Sequence, residues 1–458
     1  RSRRAIPLSE LRTILRHAST VLVGQLAVMA FGVADTIVAG RHSEQALAAL
    51  SVGSAIFVSV YVGLMGVIQA LMPVWSELRG AQQAPAVGRS VRQALYLCAT
   101  TMVLGMAALM FPAPLLRWTQ VPAALQADVN AYLGILAWGL PPALLFRLYS
   151  TLNQSLGYPQ LVTWLQIGAL GVKVPLTLWF ALGGWGMEAH GAPGCAWATL
   201  VVNYGLCLLG FWLLRTQPRY HPYRLWAPME RPDRLQLAAF ARLGVPAGLA
   251  IMVEVTSFTL MALFIARQGS LASAGHQIAS NLAAVLYMVP LSLAIATSAR
   301  ASYWLGAAQP RLARSTIRTG MRLAILLAAV MASLLFSART VIAGWYTQDA
   351  NVALVASGLL VWVSLFHLAD AVQAMCTFVL RCYRVTIAPL LTYCALLWGI
   401  GLGGGAVLAY RGWGSIAPRN DPAAFWITGS SALGLTACIM AWLLWRTMVR
   451  QRHPAGQS

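Results

Sequence analysis

Apolar runs long enough to cross a bilayer recur from one end of this chain to the other, and no soluble fold accommodates them. Inside hydrocarbon no water satisfies backbone N–H and C=O groups, so each run has to form a helix or a strand of a closed barrel. Runs beyond 18 residues predict helices, because a barrel strand needs only ~10. Twelve spans are predicted, at residues 17–40, 48–75, 90–114, 128–155, 160–182, 194–215, 238–266, 274–302, 316–345, 351–380, 386–410 and 424–446. The expected class is therefore all-α and polytopic. Only 10% of the residues are charged, against ~25% in ordinary soluble domains.

Arginine placement tests the span count. With the N-terminus in the cytoplasm, 24 of the 32 basic residues fall on the cytoplasmic side, in loops such as those holding Arg79, Arg89 and Arg92 or Arg311, Arg314 and Arg318. That bias matches the positive-inside rule and predicts both termini in the cytoplasm of a cell inner membrane. It also accounts for the net charge of +20 without nucleic acid, since the arginines are spread over short loops facing anionic lipid. The basic first residues contain no A-x-A-like cleavage site ahead of the first span, so no signal peptide is expected.

The one long, proline-punctuated polar segment is RTQPRYHPYRLWAPMERPDR, residues 215–234. Beyond it the first half recurs. LRWTQVPAALQADVNAYLGILAW at 116–138 resembles AGWYTQDANVALVASGLLVW at 343–362, and the basic loop at 76–95 resembles that at 303–324. The expected organisation is an N-terminal six-helix lobe at 1–215, a cytoplasmic linker at 216–237 and a C-terminal six-helix lobe at 238–458. Two pseudo-symmetric lobes around a cavity is a transporter architecture.

Enzyme chemistry finds little support. The only lysine, Lys173, follows Val172, so no phosphate-binding loop of the G-x-x-x-x-G-K-[ST] kind exists. No aspartate follows a glycine, as intramembrane aspartyl proteases require, and no D-x-x-x-D pair is present to hold a magnesium pyrophosphate. The seven cysteines have no metal-ligand spacing and are read as packing residues. No enzyme and no cofactor is expected.

Three acids lie inside spans. Asp370, in SLFHLADAVQAM, is eleven residues before Arg381; Glu254, in GLAIMVEVTSFTLM, is twelve after Arg242; Asp35 is six before Arg41. A carboxylate at such depth costs several kcal/mol, so it faces the interior of the bundle and marks an ion or proton pathway. Burial favours its neutral form and a neighbouring cation favours the carboxylate, so such a pair can exchange protons, bind Na⁺ or neutralise a cationic substrate. No Lys or Arg is expected at mid-membrane in the second half to pair with Glu254 and Asp370. Near them, His367 sits one turn before Asp370, and Phe366, Tyr287 and Met288 offer π-rich, adaptable walls suited to amphipathic cations. In the first half Lys173 and Asp35 both fall in the outer half of the bilayer and are expected to form an ion pair.

The residues also resemble a known family. GVADTIVAG around Asp35, EVTSF at Glu254, AGHQIASNLA at 274–283, MVPLSLAIATSARASYWLGA at 288–307, YTQDANV at 346–352 and LFHLADAVQAMCTFVLRCY at 365–383 look like the NorM-like branch of the multidrug and toxic compound extrusion (MATE) family. The resemblance implies a V-shaped, monomeric bundle that exports cationic, amphipathic drugs by alternating access in exchange for Na⁺ or H⁺. It implies Glu254 and Asp370 as cation-coupling and metal-binding carboxylates of the second lobe, Asp35 as that of the first, and Asp349 as a substrate-binding carboxylate near the outer mouth. One departure stands out: this branch carries asparagines in an N-x-P-x-N pattern of span five, where VKVPLT puts Lys173 and Thr177. First-lobe Na⁺ binding is the property this affects. The alternative is a flippase of lipid-linked saccharides on a related fold, which would line its cavity with bases rather than acids.

Overall fold

The computed structural model describes residues 8–114, 123–184, 186–412, 414 and 417–450; residues 118–120, part of the sequence repeat, lie outside these. Twelve helices are long and apolar enough to cross a membrane. They are α1 (Leu8–His42), α2 (Glu44–Gly80), α3 (Ala84–Met110), α4 (Ala123–Leu156), α5 (Pro159–Leu182) and α6 (Gly191–Thr216). The second six are α7 (Arg234–Ala266), α8 (Ser270–Gly306), α9 (Pro310–Tyr346), α10 (Ala350–Cys382), α11 (Ile387–Arg411) and α12 (Ala423–Arg450). Each agrees with its predicted span to within several residues, and the helices generally run longer because the polar ends beyond the apolar run stay helical. The starts are written locally. Proline occupies the first turn of α3, α5 and α9, where its missing N–H is no loss. Ser43 and Asp349 cap α2 and α10 through their side chains. The glycine-rich α11 widens into π-helical turns over Cys394–Gly403 and Val407–Arg411.

The chain forms two compact units, Thr20–Gly248 and Arg1–Ser19 with Leu249–Ser458. Both boundaries fall inside helices, at Ser19 in α1 and at Gly248 in α7, two residues past Pro246. The polar segment at 216–237 marks where the chain leaves the apolar layer; the change of packing partners comes later, within α7.

In the first unit that segment is clamped to α3. Arg92 donates through Nε to Glu230 Oε2 at 2.8 Å and also through Nη2 to Glu230. Gln93 donates to the Arg231 carbonyl at 3.0 Å and accepts from the Asp233 N–H at 2.9 Å. Tyr220 is buried and donates to Asn153 Oδ1 at 2.6 Å. Gly88 permits the contact: a Cβ there would stand 1.7 Å from the Tyr223 carbonyl oxygen, so any side chain would push the segment away.

The second unit is built around α10. Every residue from Gln373 to Cys382 is buried, which means that all faces of this stretch are covered, and α8, α9 and α12 pack against it. The start of α1 joins this unit through Glu10, whose carboxylate accepts from Arg300 Nε on α8 at 3.0 Å. The Arg300 guanidinium also lies 4.6 Å from the Trp304 ring centroid.

The clamp on α3 yields an acid-dependent prediction. The Arg92 guanidinium holds the half-buried Glu230 carboxyl down at about 2, below its ordinary 4.5. A carboxyl depressed in the folded state contributes stability above its ordinary value and loses it as the pH falls through the depressed one. Glu230→Gln and Gly88→Ala should each raise the rate of tryptic cleavage within residues 215–234 several-fold. Wild type should gain comparable sensitivity, read with pepsin, only as the pH approaches about 2, and E230Q should show little further change over that range.

Candidate functional site

The second unit brings Glu254 of α7 and Asp370 of α10 onto one amide. Gln373 Nε2 donates to Asp370 Oδ1 at 2.8 Å and to Glu254 Oε1 at 3.0 Å. The amide faces the acids with its nitrogen because its oxygen is taken: Tyr393 of α11 donates its hydroxyl to Gln373 Oε1, and Thr377 lies 3.0 Å from that hydroxyl. Three helices thus converge on one carboxamide. Asp370 is 4% exposed, so its carboxyl has little access to water, while Glu254 is half-buried. Tyr287 and Met288, neighbours on α8, are both half-buried.

Phe366 turns into the unit's interior. It meets Phe258 edge-on at 5.6 Å and Trp426 at 5.7 Å between ring centroids. These rings and Ser257 border a cavity of about 30 Å³ that reaches Glu254, room for about one water. Trp426 also donates to His276 Nδ1 at 3.2 Å.

Asp349, expected near the outer mouth, stands apart from this cluster: it is exposed, caps α10 by accepting from the Asn351 N–H at 2.8 Å and the Val352 N–H at 3.2 Å, and lies 21 residues, ~30 Å of helix, from Asp370. Arg381, expected at the cytoplasmic edge, is enclosed by protein: it is 2% exposed, and its guanidinium carbon lies 4.3 Å from the Phe378 ring centroid. Its long side chain leans back toward the helix N-terminus, as helical side chains do. Gln373 was legible as a polar residue one turn from Asp370, whereas nothing in the sequence pointed to Tyr393.

The first unit holds the other intramembrane acid. Lys173 Nζ lies 2.8 Å from Asp35 Oδ1, 3.0 Å from Oδ2 and 2.8 Å from Thr199 Oγ1. The ammonium donors thereby have three acceptor oxygens. Thr177 donates to Asp35 Oδ1 at 3.2 Å. Lys173 is 1% exposed and Asp35 8%, so each would be an uncompensated buried charge without the other. The ammonium stands where the oxygens of Asp35 and Thr199 converge. Among the described residues no three or more His, Cys, Asp or Glu side chains gather as a metal site.

Removing one partner of a buried pair costs about 3–5 kcal/mol, more than removing both. Lys173→Met and Asp35→Leu should each lower the melting temperature of the purified protein, and the double variant should recover part of the loss. Simple additivity in this cycle would mean the contact carries no coupling energy.

The model of the MatE family matches residues 21–179 and 246–405, one stretch in each half of the chain. A probable multidrug resistance protein NorM of Aromatoleum aromaticum is 36% identical over 96% of this chain and 95% of its own length. The multidrug resistance protein PmpM of Pseudomonas aeruginosa is 32% identical over 98% of this chain and 96% of its own. The fold is that of the eukaryotic MATE transporter AtDTX14, with TM-score 0.84 at 18% identity, covering 97% of this chain and 98% of that one. The Vibrio cholerae MATE transporter VcmN in the bent form gives 0.81 at 17% identity, over 97% and 98%. The chain therefore belongs to the multidrug and toxic compound extrusion family, and is a multi-pass membrane transport protein rather than an enzyme.

Proposed function

We propose that this chain is an antiporter of the inner membrane, both termini cytoplasmic, that exports cationic amphipathic drugs by alternating access in exchange for an inward-moving cation. The observation that carries the reading is the Glu254–Gln373–Asp370 bridge: two carboxyl groups held side by side in an apolar interior. Two acids that close cannot both ionise in a low dielectric without a positive charge between them, so the pair takes up a proton or a cation. An organic cation arriving at the deprotonated pair supplies that charge, and a proton returning from outside displaces it. Loading by one cation at a time is what exchange requires.

The amide favours H⁺ over Na⁺ as the coupling ion. Gln373 presents N–H donors to the facing carboxyl oxygens, occupying the side on which Na⁺ would need to meet them. A proton needs no such room. Asp35, neutralised by Lys173, is left outside the coupling, which then rests on the second unit alone. The aromatic group of Phe258, Phe366 and Trp426 next to Glu254 adds cation-attracting faces.

Glu254→Gln and Asp370→Asn should each reduce gradient-driven efflux of a fluorescent cation from proteoliposomes by ~10-fold or more, with membrane insertion unchanged. Wild-type efflux in either variant refutes the assignment. Binding of an ethidium-like cation to wild type should weaken as the pH falls, because protonation removes the negative charge that receives it. Tighter binding of an anionic dye would overturn the cation reading.

A further inference from the structure

Beneath the polar segment that follows α6, the first unit holds a cavity of about 280 Å³. Its walls come from α3, α4 and α6, through residues such as Leu95, Leu148 and Phe211, and from the segment itself through Leu225, Trp226 and Met229. The volume is nearly twice the ~150 Å³ of an apolar cavity that stays dry and takes up benzene. Packed interiors contain few voids larger than a water, and a lining of this kind offers water few partners. The one formal charge in the lining, Arg92, is already bonded to the Glu230 carboxylate and the Arg224 carbonyl. An apolar guest is what the cavity can hold.

Its rim shows where such a guest would come from. Phe211 and Trp226 are both exposed, and so are Leu208 and Trp212 on the same stretch of α6. On a spanning helix, exposed side chains of this type face hydrocarbon, so the cavity opens toward lipid. Trp226 is tied to α6 at this rim. Its Nε1 donates to the Leu214 carbonyl at 3.1 Å, and its ring meets Phe211 edge-on at 4.6 Å between centroids. The Arg215 guanidinium lies 5.3 Å from the same ring. Arg215 is the last residue but one of α6 and stands one turn beyond Phe211, at the level where acyl chains give way to headgroups. It is exposed, and no carboxylate pairs with it among the described residues.

We infer that this cavity takes an acyl chain of an anionic phospholipid whose phosphate is held by Arg215. The two parts of the site ask for the two parts of one molecule. The cavity recognises the chain, and the planar guanidinium at its mouth recognises the phosphate, which it can meet with two parallel N–H donors. Arg219 and Arg224, exposed on the adjoining segment, add positive charge at the same level and favour a lipid with net negative charge over a zwitterionic one. Inorganic phosphate or glycerol phosphate would satisfy Arg215 alone and leave the cavity unfilled. A bound chain would also lie between the segment and the helices beneath it, becoming part of the packing that holds residues 225–229 in place.

Native mass spectrometry of the delipidated full-length protein, titrated with dioleoyl phosphatidylglycerol or dioleoyl phosphatidylcholine, tests this. Wild type should bind the first phosphatidylglycerol roughly fivefold or more tightly than the phosphatidylcholine, and glycerol phosphate should not compete with it. Arg215→Gln should bring the two lipids level. Arg215→Lys, and Arg311→Gln on α9, which does not line the cavity, should keep the preference. Cys207→Phe, which adds a ring to the cavity wall, should weaken both lipids by ~10-fold. Independently of any variant, phosphatidylglycerol with a diazirine at the end of one chain should label wild type within residues 145–152 or 225–229. Equal affinity for the two lipids in wild type, an undiminished preference in Arg215→Gln, or labelling confined to other segments overturns the inference. So does labelling in the cavity that is equal for both lipids and displaced by an ethidium-like cation, which would make it a drug pocket instead.

Discussion

A hydrocarbon layer provides no partner for a polar group, so every such group inside it has to be answered by the protein itself. That constraint sets the structure at each scale. It makes the backbone helical in all twelve spans. At the level of side chains it leaves few intramembrane charges and gives the three acids among them specific partners. Asp35 is met by an ammonium and a threonine hydroxyl; Glu254 and Asp370 are met by one amide that Tyr393 holds in place. Polar contacts outside the layer, such as the Arg92–Glu230 clamp, serve a different end, fixing the connecting segment against α3.

The two units treat their acids differently. In the first, a lysine supplies a covalently attached positive charge with three oxygen neighbours, so Asp35 is already answered. In the second, the acids share a neutral carboxamide that satisfies two of their oxygens without neutralising either group. A closed ion pair has no charge left to offer, whereas the bridged acids carry no fixed counter-charge in that bridge.

The sequence by itself determined the class of fold, the twelve spans and which acids lie at membrane depth. These follow from local composition, because an apolar run and a charge inside it are read along one chain without knowing what packs against them. The Lys173–Asp35 juxtaposition could also be anticipated, since depth is encoded by distance from the nearest loop. What only the tertiary structure decided is how residues on different helices meet. Tyr393 locks Gln373 from the next helix, 20 residues on, a relation no periodicity carries. Asp349 matches a family motif but has its carboxylate engaged in capping a helix, a use that depends on where its own backbone turns. Arg381 reads as a terminal, water-facing base because it ends an apolar run; packing on every side of α10 encloses it. Depth is a one-dimensional property and legible in the chain, whereas enclosure is set by neighbours the chain does not place side by side.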